Sequence, residues 1–391
     1  MNKKKLLLIF FRPPFPLLSG GQIRMYQNLR LLSKYFDVDV LFMTEDKVED
    51  STVKEIEKLA TNVFWHRFTK LQYYFNTVRG FFSKMPLQSN YFYSKKIQKW
   101  IDKNISNYDI AFCNTIRTTK YLANKDIYKV IDFVDAISMN YEKAYEKKRF
   151  GLWKFLYYID KTRLKKYEQE VLETFDKSII ISKVDKHHIL EFGSQKKIKV
   201  IPNCVFPDII NNGYYIPEKN KISFVGKMNY EPNESAVTYF VEKIFPKVLE
   251  KNPNIEFDIM GVYPTQLVKN LEHHKNVNVL GYVEDLEREI KQSKIVVAPM
   301  ISGAGVQNKI LQAMYLEKCV VTSNIGAQGL KKISDSEIVI ENNPLKFAEK
   351  INYYLANEEE RIEIGKKAKK YIQNTFSEEE VDKLLREYLI E

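Results

Sequence analysis

With 391 residues the chain exceeds one comfortable hydrophobic core, and its 45% hydrophobic content is ample for two. Nowhere do about eighteen apolar residues run together, which excludes a bilayer-spanning helix, and Cys113, Cys204 and Cys319 are too far apart to match a metal-binding spacing, so they read as thiols in a reducing cytoplasm. The formal charge of +11 is uneven: residues 1–200 carry 37 Lys and Arg against 22 Asp and Glu, while residues 201–391 carry 24 against 28, so the first half should face something anionic.

Met-Asn-Lys-Lys-Lys has the basic start of a signal peptide, but the apolar run at 6–11 is too short for one and reads as a first buried strand. The loop 12–21 leads into a helix with apolar residues at Ile23, Tyr26, Leu29 and Leu32, and 38–43 returns as a strand. This βαβ unit places Gly20 and Gly21 at its first carboxyl edge, where α/β sheets bind ligands, with Arg24 close behind; a plain strand-to-helix turn is the alternative. From Trp65 to Trp100 aromatic residues interleave with Lys and Arg. Amphipathic helices on an anionic membrane, stacking with single-stranded nucleic acid, and rings in a core beneath a solvated basic face are three readings of that pattern. No RNA-binding signature supports nucleic acid, which is not expected as a partner.

Strands are expected at 108–113 and 128–133, the second leading into Asp132, Asp135 and Ser138 at the sheet edge, and Arg117 after the first could touch a phosphate. A lysine-rich helical stretch at 141–175 reads as a solvated face, and 175–182 and 198–202 as strands. The crossing to a second domain falls near 203–220, rich in Pro, Asn and Gly.

The second half opens with a strand from residue 222, at whose end Gly226 allows close approach and Lys227 could pair with a diphosphate. Strands at 255–261, 277–281 and 295–298 follow. After the last comes Ser302-Gly303-Ala304-Gly305, then apolar residues at helical spacing: Val306, Ile310, Leu311, Met314. The first amides of such a helix have no internal partner, and glycines let a charged group approach the backbone, which is how a phosphate is held. Lys309 could face that anion and Gln312 could hydrogen-bond hydroxyls, a combination suited to a sugar nucleotide. The alternative is a tight turn with Gln312 solvated. Asn308 stands where a dinucleotide fingerprint needs its third glycine. A strand at 320–322 and helices at 344–376 and 378–389 complete the chain. His187-His188 and His273-His274 read as solvated surface, and no D-x-D stands at a strand end.

The segment 303–314, with Phe224-x-Gly226-x-Met228 ahead of Pro232-Asn233, Val320-Val-Thr322 and Gly326-Ala-x-Gly-Leu330, resembles the retaining glycosyltransferases of family 4. The resemblance implies an α/β, GT-B fold: two Rossmann-like doubly wound parallel-sheet domains facing a central cleft. The first, 1–205, would bind the acceptor; the second, 206–374, the nucleotide sugar; and the helix 375–391 would pack back toward the first. It implies that Gly20, Gly21 and Arg24 reach the donor, that Gly226, Lys227, Ser302, Gly303, Gly305 and Val306 bind it with Lys227 at the diphosphate, that Ala304 lies near the donor sugar with only its backbone to offer, that Val283 offers backbone to the base, and that Gln312 pairs with the ribose; the second charge at the diphosphate is assigned to Lys309 from the geometry of the loop and helix. Relatives usually carry Glu at the positions of Ala304 and Gln312. The D-x-x-D-x-x-S segment would lie near the acceptor, making Asp135 the first and Asp132 the second candidate to deprotonate or orient its hydroxyl, with Lys227 and Lys309 neutralising the leaving diphosphate; a helix cap is the alternative role for Asp135.

The expected function is therefore transfer of a sugar from a UDP- or GDP-linked donor to a hydroxyl of a lipid-linked or polysaccharide precursor, with retention, and with neither metal nor cofactor. The enzyme would be cytoplasmic and peripheral at an anionic inner membrane face. A catalytically silent sugar-nucleotide-binding scaffold and a nucleotide-sugar epimerase are the alternatives.

Overall fold

The computed structural model describes residues 3–147, 151–191, 197–208, 216–303 and 305–391. They form two compact units, one of Met1–Ile201 with Leu385–Glu391 and one of Pro202–Leu384.

The first unit is a seven-stranded parallel sheet: β1 (Lys5–Phe10), β2 (Asp37–Thr44), β3 (Asn62–Arg67), β4 (Ile110–Asn114), β5 (Tyr128–Asp132), β6 (Lys177–Ile180) and β7 (Ile198–Val200), in the order β3-β2-β1-β4-β5-β6-β7. Leu6 to Phe10 are all buried, as a strand covered by helices on both faces requires. The chain winds from β1 outward to β3, then starts again at β4 beside β1, so the switch in winding lies between β1 and β4. The C-terminal segment joins this unit through Tyr388, whose hydroxyl accepts from the Ser178 amide at 3.4 Å and donates to the Lys197 carbonyl at 3.1 Å.

The second unit holds β8 (Lys221–Val225), β9 (Glu256–Met260), β10 (Val277–Gly281), β11 (Ile295–Ala298), β12 (Cys319–Thr322) and β13 (Val339–Ile340), all parallel, in the order β10-β9-β8-β11-β12-β13. Its winding switches between β8 and β11. Phe224, Phe240, Phe245, Phe257 and Phe347 fill its core.

Three elements depart from expectation. β3 takes Trp65 and Arg67 into the sheet, and β13 is a two-residue edge strand with no alternating pattern to betray it. The long basic stretch is two helices, Ile137–Lys147 and Leu152–Thr174.

The aromatic-basic stretch holds both buried and exposed rings. Phe68 and Tyr73 are buried and stacked at 4.8 Å, and Tyr73 stacks in turn on Tyr91 at 4.2 Å. The helix Lys70–Phe81 turns its other face outward, with Leu71 at 68%, Tyr74 and Phe75 at 66% and the following Phe82 at 90% exposure. Residues 71, 74, 75, 78 and 82 recur at helical spacing, so they share one face. Lys70, Arg79 and Lys84 are exposed along the same segment.

Candidate functional site

In the second unit the carboxyl ends of β8 and β11 frame the winding switch, and the predicted phosphate loop follows β11 there. Gly303 and Gly305 have φ of +121° and +74°, left-handed values that a side chain would strain, so glycine is required by the turn itself. Ser302 and Val306 are partly buried, Ser302 Oγ lies 3.5 Å from the Glu231 carboxylate, and Ala304 lies outside the described residues. The helix that follows, Asn308–Tyr315, has Gln307 as its cap without a side-chain capping bond. Among the described residues no backbone acceptor takes the amides of Asn308 and Lys309, which leaves the positive end of the helix open to an anion.

Lys309 is buried. Its ammonium donates to Asn233 Oδ1, lies 3.6 Å from Met300 Sδ and stands 4.3 Å from the centre of the Phe224 ring. No carboxylate ion-pairs with it among the described residues. Burial pushes its pKa down to about 7. Asn233 carries that contact onward: its Nδ2 donates at 3.0 Å to the Lys227 carbonyl, and a Cβ on Gly226 would fall 2.6 Å from the same nitrogen. Gly226 therefore makes room for Asn233, a residue to which sequence reasoning assigned no role although it ends the Pro-Asn pair. Lys227 is partly exposed, with its ammonium 5.5 Å from the Tyr263 ring.

Gln312 is partly buried, and its Nε2 donates at 2.8 Å to Glu287 Oε1 on the helix Leu286–Gln292. A carboxylate thus stands beside Gln312, although the residue itself is an amide. Sequence reasoning missed Glu287, which is 25 positions away and carries no motif of its own. Val283 is partly buried, and it is flanked by the exposed Tyr282; Tyr263, in the neighbouring loop, is exposed at 58%.

The first unit places the predicted residues less uniformly. Gly20 and Gly21 begin the helix Gly20–Ser33, capped by Ser19, and are exposed and half-exposed. Arg24, expected at the donor, is instead fully buried with Nε 2.6 Å from Asp132 Oδ2. Asp132 is equally buried; it also accepts from Asn28 Nδ2 at 2.7 Å and from the Val134 amide at 3.0 Å. Both carboxylate oxygens are engaged and shielded, so the geometry does not offer Asp132 to an acceptor hydroxyl. Their burial makes Arg24 and Asp132 positioning residues for the sheet edge.

Asp135 is partly exposed and accepts from Asn140 Nδ2 at 2.7 Å. Burial, reinforced by Asp185 and opposed by Arg117, raises its pKa to about 6. Between the two aspartates Val134 has φ of +67°, and Thr115, whose amide donates to the Asp132 carbonyl at 2.7 Å, has φ of +64°. Two β-branched residues in the left-handed region, on adjacent strand ends, mark a strained edge of the kind that gathers at functional sites.

His188 is not solvated surface. Its Nε2 lies 3.1 Å from Ser138 Oγ, which is buried and hydrogen-bonds Glu168 at 2.5 Å; the Ser138 amide donates to the other Glu168 oxygen at 3.0 Å. Burial raises Glu168 to about 8 against these hydrogen bonds. Among the described residues no three His, Cys, Asp or Glu side chains are grouped to hold a metal ion, and no helix is long and apolar enough to cross a membrane.

Residues 219–357 match the family described as glycosyl transferases group 1. Over 96% of the chain there is 25% identity to 97% of a Klebsiella pneumoniae protein described as an uncharacterized 44.6 kDa protein in the cps region. Among solved structures the chain is similar to sucrose-phosphate synthase from Thermosynechococcus elongatus, with a TM-score of 0.71 and 13% identity over 98% of both chains. It is also similar to Anabaena HepE in complex with UDP and glucose, with a TM-score of 0.67 and 14% identity over 98% of both. For S. aureus TarM in complex with Fondaparinux, alpha-GlcNAc-glycerol and UDP the TM-score is 0.70, at 14% identity over 99% of this chain and 100% of that one. The fold is GT-B, and the match to the group 1 glycosyl transferase family lies within the second unit.

Proposed function

We propose that the protein transfers a sugar from a nucleoside diphosphate sugar, held by the second unit, to a hydroxyl of a lipid-linked or polysaccharide acceptor on the first, with retention of configuration and without a metal. The observation that carries this reading is Lys309, a buried cation with no carboxylate partner among the described residues, at the open start of the helix behind Gly303 and Gly305. A buried charge without a counter-ion is costly, and a diphosphate would supply the missing negative charge. In the reaction the bond from the anomeric carbon to the donor phosphate oxygen breaks, the acceptor oxygen bonds that carbon, and the acceptor's hydroxyl proton passes to the departing diphosphate oxygen or to Asp135. Lys227, the amides of Asn308 and Lys309, and the field of the buried Lys309 ammonium stabilise the departing diphosphate.

The pair Gln312 and Glu287 is well suited to a ribose diol, because an amide carbonyl and a carboxylate both accept from hydroxyls. Asp135 is the remaining candidate to orient or deprotonate the acceptor. HepE and TarM were solved with UDP, and the Klebsiella relative belongs to a cps region, which supports a UDP-linked donor and a surface glycan product. The outward apolar face of Lys70–Phe81, with its flanking bases, supports peripheral binding to an anionic membrane.

The decisive experiment incubates the protein with UDP- and GDP-sugars and extracted lipid-linked precursors, with and without excess chelator. Transfer that survives chelation and gives an axial product from an axial donor is expected. Binding of nucleotide sugar with no turnover on any acceptor would favour the scaffold, and complete loss in chelator would overturn the metal-free reading.

A further inference from the structure

β1 and β4 lie side by side, paired from Leu6 with Ile110 to Ile9 with Cys113, and the chain winds away from them in opposite directions. A doubly wound sheet opens a crevice beyond the carboxyl ends of such a strand pair. Phe11 and Arg12 leave β1 at that point, and Arg117 follows β4. The Phe11 ring is 5% exposed, and two guanidinium groups stack on it, Arg12 at 4.4 Å and Arg117 at 4.6 Å from its centre, with the Phe92 ring set edge-on at 5.3 Å.

Neither arginine has a carboxylate in ion-pairing contact among the described residues. Arg117 Nε donates to Gln88 Oε1 at 2.7 Å, which orients its fork and leaves its terminal nitrogens for other acceptors. Burial and the neighbouring Arg117 push Arg12 down to about 10; burial lowers Arg117 too, against Asp135 and Tyr141, which favour its charge. Two like charges on one ring, at the crevice of the sheet, are a standing cost that a ligand of opposite charge removes.

We propose that Arg12 and Arg117 bind a phosphoryl group carried by the molecule that accepts the sugar. A tetrahedral phosphate offers three oxygens and up to two negative charges, enough to accept from two forks and offset two positive charges, whereas a carboxylate brings a single charge. That this phosphate belongs to the acceptor rests on the glycosyl-transfer reading; that the two arginines bind phosphate does not.

The test is phenylglyoxal modification of the full chain, mapped by mass spectrometry, with inorganic phosphate, glucuronate or phosphatidylglycerol vesicles as protectants. The exposed Arg67 and Arg386 serve as reference sites, whose rates the protectants should leave unchanged. Phosphate at about ten times its dissociation constant should slow Arg12 and Arg117 by roughly tenfold, since only the unliganded fraction reacts. Protection by free phosphate or by vesicles supports the proposal and tells a soluble phosphate from a lipid-borne one. Equal rates with and without both, or protection by glucuronate as strong as by phosphate, would overturn it. The same protection in a Lys309→Met chain keeps this result separate from the donor site.

Discussion

The Arg24 Nε lies 2.6 Å from Asp132 Oδ2, and neither side chain is exposed at all. The pair ties the first helix of the unit to the end of β5, 108 positions along the chain. Arg24→Met leaves a buried carboxylate with only Asn28 and a backbone amide, which should cost about 3–5 kcal/mol. Arg24→Met with Asp132→Leu removes both charges and should recover most of that loss. The midpoint of urea unfolding, followed on the full chain, checks both.

Lys309 should couple nucleotide binding to pH. In the free protein it loses its proton near pH 7 because of burial. A bound diphosphate favours the charged form and raises that value, so binding takes up a proton above pH 7. Affinity for the nucleoside diphosphate should therefore fall as pH rises from 7 to 9, by at most about tenfold per unit. Calorimetry in buffers of different ionisation heat measures the uptake directly, and Lys309→Met should abolish both the uptake and the slope.

Glu168 should give a signature of the same sign, in stability. Its folded pKa, about 8, lies above the ordinary 4.5, so the folded chain keeps a proton that the unfolded chain has lost. The stabilisation from this group is complete below about pH 4.5 and is lost as pH rises through 8. Glu168→Gln preserves a neutral partner for the Ser138 amide and hydroxyl, so its melting temperature should decline less than that of the wild type between pH 5.5 and 8.5. A scanning calorimetry series shows whether the two curves diverge.

The outward face of Lys70–Phe81 should govern membrane binding. Burying an aromatic side chain contributes roughly 1.5–3 kcal/mol, so Phe75→Asp and Phe82→Asp should each weaken binding to phosphatidylglycerol vesicles by tenfold or more. Both side chains are exposed at 66% and 90%, so the fold should be unaffected. Co-sedimentation at low and high salt separates the apolar contribution from the screened one, and unchanged binding of both variants would exclude this face.

Glu287 should matter to the sugar of the nucleotide. Glu287→Ala removes the carboxylate beside Gln312. The ratio of affinities for ribo- and 2′-deoxyribonucleoside diphosphates should drop by roughly tenfold, the loss of one hydrogen bond to a charged group.

Much of this molecule is written locally. Continuous apolar runs such as Leu6–Leu7–Leu8–Ile9–Phe10 mark buried parallel strands, and Gly303 and Gly305 announce a left-handed turn, because strand burial on two faces and positive φ each demand particular residue types at particular places. Those signals were enough to recognise a doubly wound α/β chain and to find the loop at the second winding switch. They were not enough for β3 or β13, whose pairing comes from a neighbour already in place and not from their own patterns.

Partnership was decided only in three dimensions. A lysine, an arginine or a histidine reads as solvated until something covers it. Whether Lys309 meets Asn233, Arg24 meets Asp132 or His188 meets Ser138 depends on which distant strand ends the sheet order brings together. Sequence spacing carries the periodicity of one element, but the dielectric around a charge is set by its neighbours. For that reason the strand and loop identities were legible from the residues, while the division of Asp132 from Asp135, the carboxylate of Glu287 and the paired arginines on Phe11 emerged only from the tertiary fold.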